Sequence, residues 1–455
     1  MRSRVSVFVA ISLLVVCVVA SAQSSSPAGA MKVVTIHLSG KDAVPISPLL
    51  YGINYDWNAV SEGETAAFAS SMQSVAHVTM VRYPGGWNAE HYDWSNNTET
   101  RWRHFSPATG ASPATILRVF PQVSFITPSG IAISDPRRAS EVAKLSSELV
   151  SRYGNQVKVW EIGNEWFLQR GAKNDRQKLL ENLRLYAALL NQVVPPMKKA
   201  NPSIQIYAMA EWNSVEDARI LRKLTTRKVW SQIDGISIHP YCGTNPDESA
   251  CTLLQPRIAS LRAATHKDAV YASEWAVVRN HSKDDFGIHN ANATLAAIQD
   301  MAFARVRIAT YWPPVREIPA LGFVSRDFST PLATGILYGW MSKYYEGVAL
   351  HTSGDCLAAA ARNHGQVTVF VPSATQGPEQ VQIDIAGMGL HQVVAAKVLV
   401  SASPDDLHES GHASVATLPV RIIRSGNGDE MVDFTLDPGT NGRGQSYEIA
   451  RVILQ

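Results

Sequence analysis

Between residues 49 and 345 two hydrophobic rhythms take turns along the chain. Short apolar runs at 50–54, 78–83, 123–127, 157–162, 204–210, 235–239, 269–273 and 308–312 alternate with longer stretches whose apolar positions recur every three or four residues. The first rhythm is that of a strand buried on both faces, and the second that of a helix with one face on a core. Eight such pairs in succession predict a (β/α)8 barrel, because parallel neighbours need a crossover helix to bring the chain back.

The helices carry their own punctuation. Asp135 before Pro136 is an N-cap followed by the residue best tolerated in a first turn, and Val142, Leu145, Leu149 and Tyr153 then recur up to Gly154. A second helix begins near Asp175, aligns Leu179, Leu183, Tyr186, Leu190 and Val193, and is expected to stop at Pro195-Pro196. Ser214 is expected to cap the next, with Glu216 and Asp217 in its first turn, and Asn292 to cap another running through Ala302.

After residue 346 the helical rhythm stops. The runs 357–361, 366–371, 380–385, 393–401, 419–423, 431–436 and 446–454 read as strands between Gly, Pro, Asn and Asp clusters, which predicts an antiparallel β-sandwich over 346–455. The segment 32–38 also alternates like a strand, so 31–48 is expected to join that sandwich and 49–345 to form the barrel.

The start of the chain carries Arg2 and Arg4, an apolar run to Ala20 and the small-residue pattern Ala20-Ser21-Ala22. Residues 1–22 therefore read as a cleaved export signal, which predicts a secreted or periplasmic protein with no stable membrane association after cleavage. Without those two arginines, 39 basic residues balance 39 acidic ones, so nothing points to nucleic acid or an anionic membrane as partner. In an oxidising compartment Cys242 and Cys251, separated by turn formers, are candidates for a disulfide bracing one loop. The cysteine spacing does not suit zinc.

The chemistry gathers at the strand ends. The fourth run ends in Trp160-Glu161-Ile162-Gly163-Asn164-Glu165-Trp166 and the seventh in Tyr271-Ala272-Ser273-Glu274-Trp275. Barrel active sites form at the C-terminal ends of strands, so Glu165 and Glu274 fall where two carboxyl groups can flank one glycosidic bond. That reaction needs one protonated carboxyl to donate to the leaving oxygen and one ionised carboxylate to attack the anomeric carbon. Glu165 is assigned as acid/base and Glu274 as nucleophile. Asn164 offers an amide to a sugar hydroxyl, Arg82 can hold Glu274 ionised, and His239 and Tyr241 end the sixth run beside the seventh, where either can donate to the nucleophile.

Trp57, Trp87, Trp166, Trp212, Trp275 and Trp312 all follow predicted strands, which suggests a surface for stacking sugar faces with Trp312 as its floor. Asn88, Asp56 and Asn58 are further candidate substrate contacts. Glu211, ending the fifth run, is the rival for a catalytic role and otherwise binds sugar or caps the helix at Ser214. Glu161 reads as a structural carboxylate inside the barrel. No Gly-x-Ser-x-Gly elbow marks an esterase, and no His-x-His in the first run marks a metal-dependent barrel hydrolase.

The elements Trp-Glu-Ile-Gly-Asn-Glu at 160–165, Arg-Tyr-Pro-Gly-Gly at 82–86, His-Pro-Tyr at 239–241 and Ser-Glu-Trp at 273–275 resemble those of the retaining glycoside hydrolases of clan A. Within the clan the chain is most similar to the α-L-arabinofuranosidase families and related β-xylosidases, β-glucuronidases and endoglycanases, over 31–455. The resemblance implies a carbohydrate substrate, a covalent glycosyl-enzyme intermediate and no cofactor. It also implies that Arg82, Asn164, His239 and Tyr241 surround the reacting sugar. It leaves the sugar open, because loops such as 279–290 supply substrate contacts. The alternative is a non-catalytic carbohydrate-binding protein on a hydrolase scaffold.

Overall fold

The computed structural model describes residues 31–56, 59–90, 92–93, 98–99, 110–241, 254–277, 287–315, 322–373, 377–401, 413–424, 430–437 and 448–455. The export segment, Trp57, Asn58, Cys242 and Cys251 lie outside them, as do residues 278–286 of the loop after the seventh run.

Among the described residues eight parallel strands close into a barrel: Gly52–Asn54, Met80–Tyr83, Val123–Thr127, Val159–Ile162, Gln205–Met209, Gly235–Ile238, Ala269–Trp275 and Ile308–Tyr311. Pairing of Thr310 with Gly52 and Tyr311 with Ile53 seals the last strand to the first. The strands are buried on both faces, which is why their sequences are continuous apolar runs rather than alternating ones. Met80, Val159, Tyr207, Tyr271 and Ile308 plug the end of the barrel where the strands begin. The opposite end is left to polar side chains.

The helix signals at Asp135 and Ser214 match observed caps. Asp135 accepts from the Arg137 amide at the turn leading into Ala139–Tyr153, and Ser214 Oγ accepts from the Asp217 amide 3.1 Å away to start Val215–Leu224. Two expectations fail. The helix capped by Asp175 runs through Pro195-Pro196 to Ala200, because Val193, Val194 and Met197 are fully buried and their packing outweighs the two missing amide hydrogen bonds. The helix expected to start at Asn292 spans Ile288–Phe303 instead, and Asn292 Oδ1 is buried without a partner rather than capping.

Tyr92–Asp93 and Thr98–Glu99 pair by themselves, and the other ten strands form one sheet, curled around its own core of residues such as Ile36, Leu350, Val369, Val381, Phe434 and Val452. This is the accessory β-sandwich. Lys32–Pro45 is one of its inner strands, antiparallel to Val348–Gly354 and parallel to Glu379–Asp384. Arg451 fastens the sheet to the barrel's last helix, Ala333–Tyr344, with its guanidinium 4.1 Å from the Tyr344 ring centre and 4.7 Å from that of Trp340. No helix among the described residues is long and apolar enough to cross a membrane.

Candidate active site

The organising group is Arg82, third residue of the second barrel strand and completely buried. Its Nε donates to Glu161 Oε2 at 2.7 Å. Nη1 donates to Glu274 Oε1 at 2.6 Å and Asn54 Oδ1 at 2.9 Å, and Nη2 donates to Asn164 Oδ1 at 2.8 Å. Ser273 Oγ donates to the other Glu161 oxygen at 2.7 Å, so Glu161 is a satisfied carboxylate within the barrel wall. A buried guanidinium is costly alone, and burial here works against its charge. The Glu161 and then the Glu274 carboxylate more than offset that, raising its pKa.

Glu274 is the last residue but one of the seventh strand and is almost fully buried. Besides Arg82 it accepts from Tyr241 Oη at 2.8 Å, through Oε2. Gly86 lies against this carboxylate in a left-handed conformation, φ +52°. A Cβ there would stand 3.2 Å from the Trp312 ring and 3.4 Å from Glu274 Oε1, so the turn lies between the Trp312 indole and this carboxylate.

Glu165 follows a tight turn. Gly163 has φ +72°, and a Cβ on it would come within 2.2 Å of Ser129 Oγ. Glu165 itself sits in the left-handed region at φ +44°, a conformation that costs a non-glycine residue about 1–3 kcal/mol and is concentrated at functional sites. His239 Nδ1 lies 3.0 Å from Glu165 Oε1 and 3.4 Å from Glu274 Oε2, so one imidazole nitrogen serves both carboxylates.

Burial alone would raise the Glu165 carboxyl, but the bond and charge of His239, with Arg82 behind it, hold it below the ordinary range. Burial alone would likewise lower His239, but Glu274 and then Glu165 raise it. Both shifts favour the charged pair, imidazolium beside carboxylate, over the neutral one.

Glu165, His239 and Glu274 each place an oxygen or nitrogen within 4.8 Å of the others, a grouping small enough for a metal ion. Their atoms are already engaged with Arg82, Tyr241 and each other, a donor–acceptor network suited to moving protons.

The tryptophan surface needs correction. Trp166 and Trp275 are core residues: Trp166 Nε1 donates to the Met209 carbonyl and its ring stacks on Tyr186, while Trp275 packs edge-on against Tyr311. Trp212 is nearly buried, with the Arg257 guanidinium 5.4 Å from its ring centre. Trp87 and Trp312 are half-buried. Asn88 lies in the same short turn, Gly86–Glu90, and Asp56 is buried after the first strand.

Glu211 stands apart. Burial, and then its neighbour Asp217, push its carboxyl up to about 7, while Arg176 grips Asp217 with two bonds of 2.6 and 2.7 Å.

Sequence reading missed Asn54, Ser273 and above all Glu90. Asn54 Nδ2 is anchored on the Ser273 and Thr310 carbonyls at 2.9 and 3.1 Å, which aims its oxygen at Arg82. Glu90 is a buried carboxylate reaching the amide of Asn164. No local spacing marks these three residues.

No protein-family model matches the sequence, and a search of curated proteins finds no match. Solved structures do match. A family 51 α-L-arabinofuranosidase from Bifidobacterium longum is 15% identical with a TM-score of 0.66, covering 92% of this chain and 99% of its own. The family 51 arabinofuranosidase from Xanthomonas axonopodis pv. citri is 14% identical with a TM-score of 0.69, covering 94% and 100%. This chain has their fold. A family 44 xyloglucanase from Paenibacillus polymyxa shares it too, at 13% identity and a TM-score of 0.59, covering 93% and 99%.

Proposed function

We propose that this protein is an exported retaining glycoside hydrolase in which Glu274 is the nucleophile and Glu165 the acid/base. The observation that carries the reading is the meeting of the two carboxylates, from strand ends four and seven, at one imidazole within 4.8 Å. Retention suits carboxyl groups about 5–5.5 Å apart, whereas inversion needs about 6.5–9.5 Å to admit water between carboxylate and sugar.

In the first step a Glu274 oxygen forms a bond to the anomeric carbon while the glycosidic C–O bond breaks. The leaving oxygen takes a proton from Glu165, which the pair with His239 supplies. In the second step Glu165 draws a proton from water, the water oxygen attacks the same carbon, and the ester bond to Glu274 breaks with configuration retained. Hydrogen bonds from Arg82 and Tyr241 orient Glu274 for attack and stabilise it as it departs. Asn164, whose Nδ2 is buried and unbonded while its oxygen is held by Arg82, is placed to donate to a sugar hydroxyl.

An α-L-arabinofuranoside is the first sugar to test, since both arabinofuranosidases compared above superpose with higher TM-scores than the xyloglucanase. Export rests on Arg2, Arg4, the apolar run and Ala20-Ser21-Ala22, and fits a polysaccharide substrate outside the cytoplasm.

Aryl glycosides test the mechanism. Glu274→Ala should lose roughly 10⁴-fold or more in kcat, as nucleophile removals do, and added azide should give a glycosyl azide of inverted configuration. Azide with Glu165→Ala should give the retained configuration. A Glu274→Ala protein that still hydrolyses within tenfold of wild type would remove the assignment, and sugar binding without turnover by wild type would establish the binding-protein alternative.

A further inference from the structure

We propose that Glu90 is the positioning residue for acid catalysis, bracing the turn that presents Glu165 by accepting hydrogen bonds from two neighbouring barrel loops at once. The inference rests on the assignment of Glu165 as acid/base.

Glu90 ends the short turn Gly86–Glu90 after the second strand, and only 1% of its surface is exposed. Oε2 accepts from the Ser129 amide at 2.7 Å and from the Gly130 amide, both in the loop after the third strand. Oε1 accepts from Ser129 Oγ at 2.9 Å and from the Asn164 amide in the loop after the fourth strand. All four donors are neutral, three of them backbone. Burying a carboxylate on such donors is expensive, and burial duly pushes its pKa upward. Packing alone would be served better by an apolar side chain.

What the carboxylate holds is the backbone beside the acid. Gly163 and Glu165, on either side of Asn164, both have positive φ, and such a turn persists only where its surroundings over-determine it. The Asn164 amide between them points at Glu90, and a Cβ on Gly163 would stand 3.4 Å from Glu90 Oε1, so carboxylate and turn are in contact. Gly163 N–H is tied to the Thr127 carbonyl at 2.7 Å, and Arg82 holds the Asn164 side chain. Glu90 adds a restraint on the Gly163–Asn164 peptide, one residue before the acid.

Glu90 makes no bond to the nucleophile. Glu274 takes its hydrogen bonds from Arg82 and Tyr241, with His239 beside it. Loss of Glu90 should therefore misplace the proton donor and spare the attacking oxygen. That produces a signature that general loosening cannot: dependence on the leaving group.

The test is Glu90→Gln, which keeps the shape of the side chain but turns an NH2 group toward N–H donors. kcat/KM is measured for aryl glycosides from a dinitrophenyl leaving group, which departs without a proton, to unsubstituted phenyl, which needs one. The expected loss is about 10²-fold for phenyl, within the usual range for an acid catalyst, and no more than a few-fold for dinitrophenyl. An equal loss on both substrates, or none on either, overturns the proposal. Should Glu90→Gln fail to fold, Ser129→Ala, which removes one of the four donors, must show the same bias toward phenyl in weaker form, and a uniform or absent effect overturns the proposal there. Glu165→Gln run beside them separates the two levels. If it shows no leaving-group bias, the assignment of the acid fails; if it does while Glu90→Gln does not, only the role of Glu90 fails.

Discussion

Two arginines each stand beside two acidic side chains, and they divide their bonds between them differently. Arg82, with no exposed side-chain surface, bonds both Glu161 and Glu274. Arg176, 54% exposed, commits both terminal nitrogens to Asp217 and leaves Glu211 pushed up to about 7 by burial and by Asp217. The carboxyl after the fifth strand is thus pushed toward its protonated form, while that of Glu165 after the fourth is pulled below the ordinary range. Judged by resting protonation alone, Glu211 would be the acid. Our proposal rests on position instead, because a proton donor must face the nucleophile across the sugar, and Glu165 shares His239 with Glu274.

The sharpest way to break the comparison is to remove each cation. Arg82→Met strands two buried carboxylates and should cost about 3–5 kcal/mol in urea unfolding, enough to threaten folding. Arg176→Met, which removes an exposed guanidinium from a buried Asp217, should cost less, about 1–3 kcal/mol. Equal costs would mean that burial does not distinguish the two clusters.

His239→Gln comes next. The imidazole's pKa is raised, so its proton is present below that raised value and lost as pH climbs through it. Wild-type kcat/KM should therefore fall on the alkaline side as the His239–Glu165 pair gives up this proton. In His239→Gln that limb should move toward acid, since Glu165 must then hold the proton alone, and kcat at neutral pH should drop about 10²-fold. An unmoved alkaline limb would show that the proton is held elsewhere.

The barrel was legible because each strand is a continuous apolar run, and a strand count then puts residues 165 and 274 on one rim. What escaped depended on contacts distant in sequence. Pro195-Pro196 reads as a stop, yet buried Val193, Val194 and Met197 hold the last turn helical. Trp166 and Trp275 look like sugar platforms by position, but their indoles pack inward, as Trp166 bonded to the Met209 carbonyl shows. The pairing of His239 with Glu165 follows from a 3.0 Å contact spanning 74 residues, and the role proposed for Glu90 from hydrogen bonds spanning 39, 40 and 74. Periodicity reports which face of an element is buried. It says nothing about which polar atom the buried face will meet.

The smallest effect is expected at Glu211, where it also tests the comparison most finely. An unfolded glutamate titrates near its ordinary value and the folded one near 7, so the folded protein binds this proton more tightly. The stability so gained is complete below the unfolded value and lost as pH rises through about 7. Glu211→Gln, neutral throughout, should match wild type in Tm at acid pH and exceed it in alkali. Activity should change by a few-fold at most. No widening of the Tm difference with pH would mean that Asp217 and Arg176 accommodate a charged Glu211 without strain. A fall in activity approaching that of Glu165→Ala would instead make the fifth-strand carboxyl the acid, with the proton already in place and the geometry of His239 incidental.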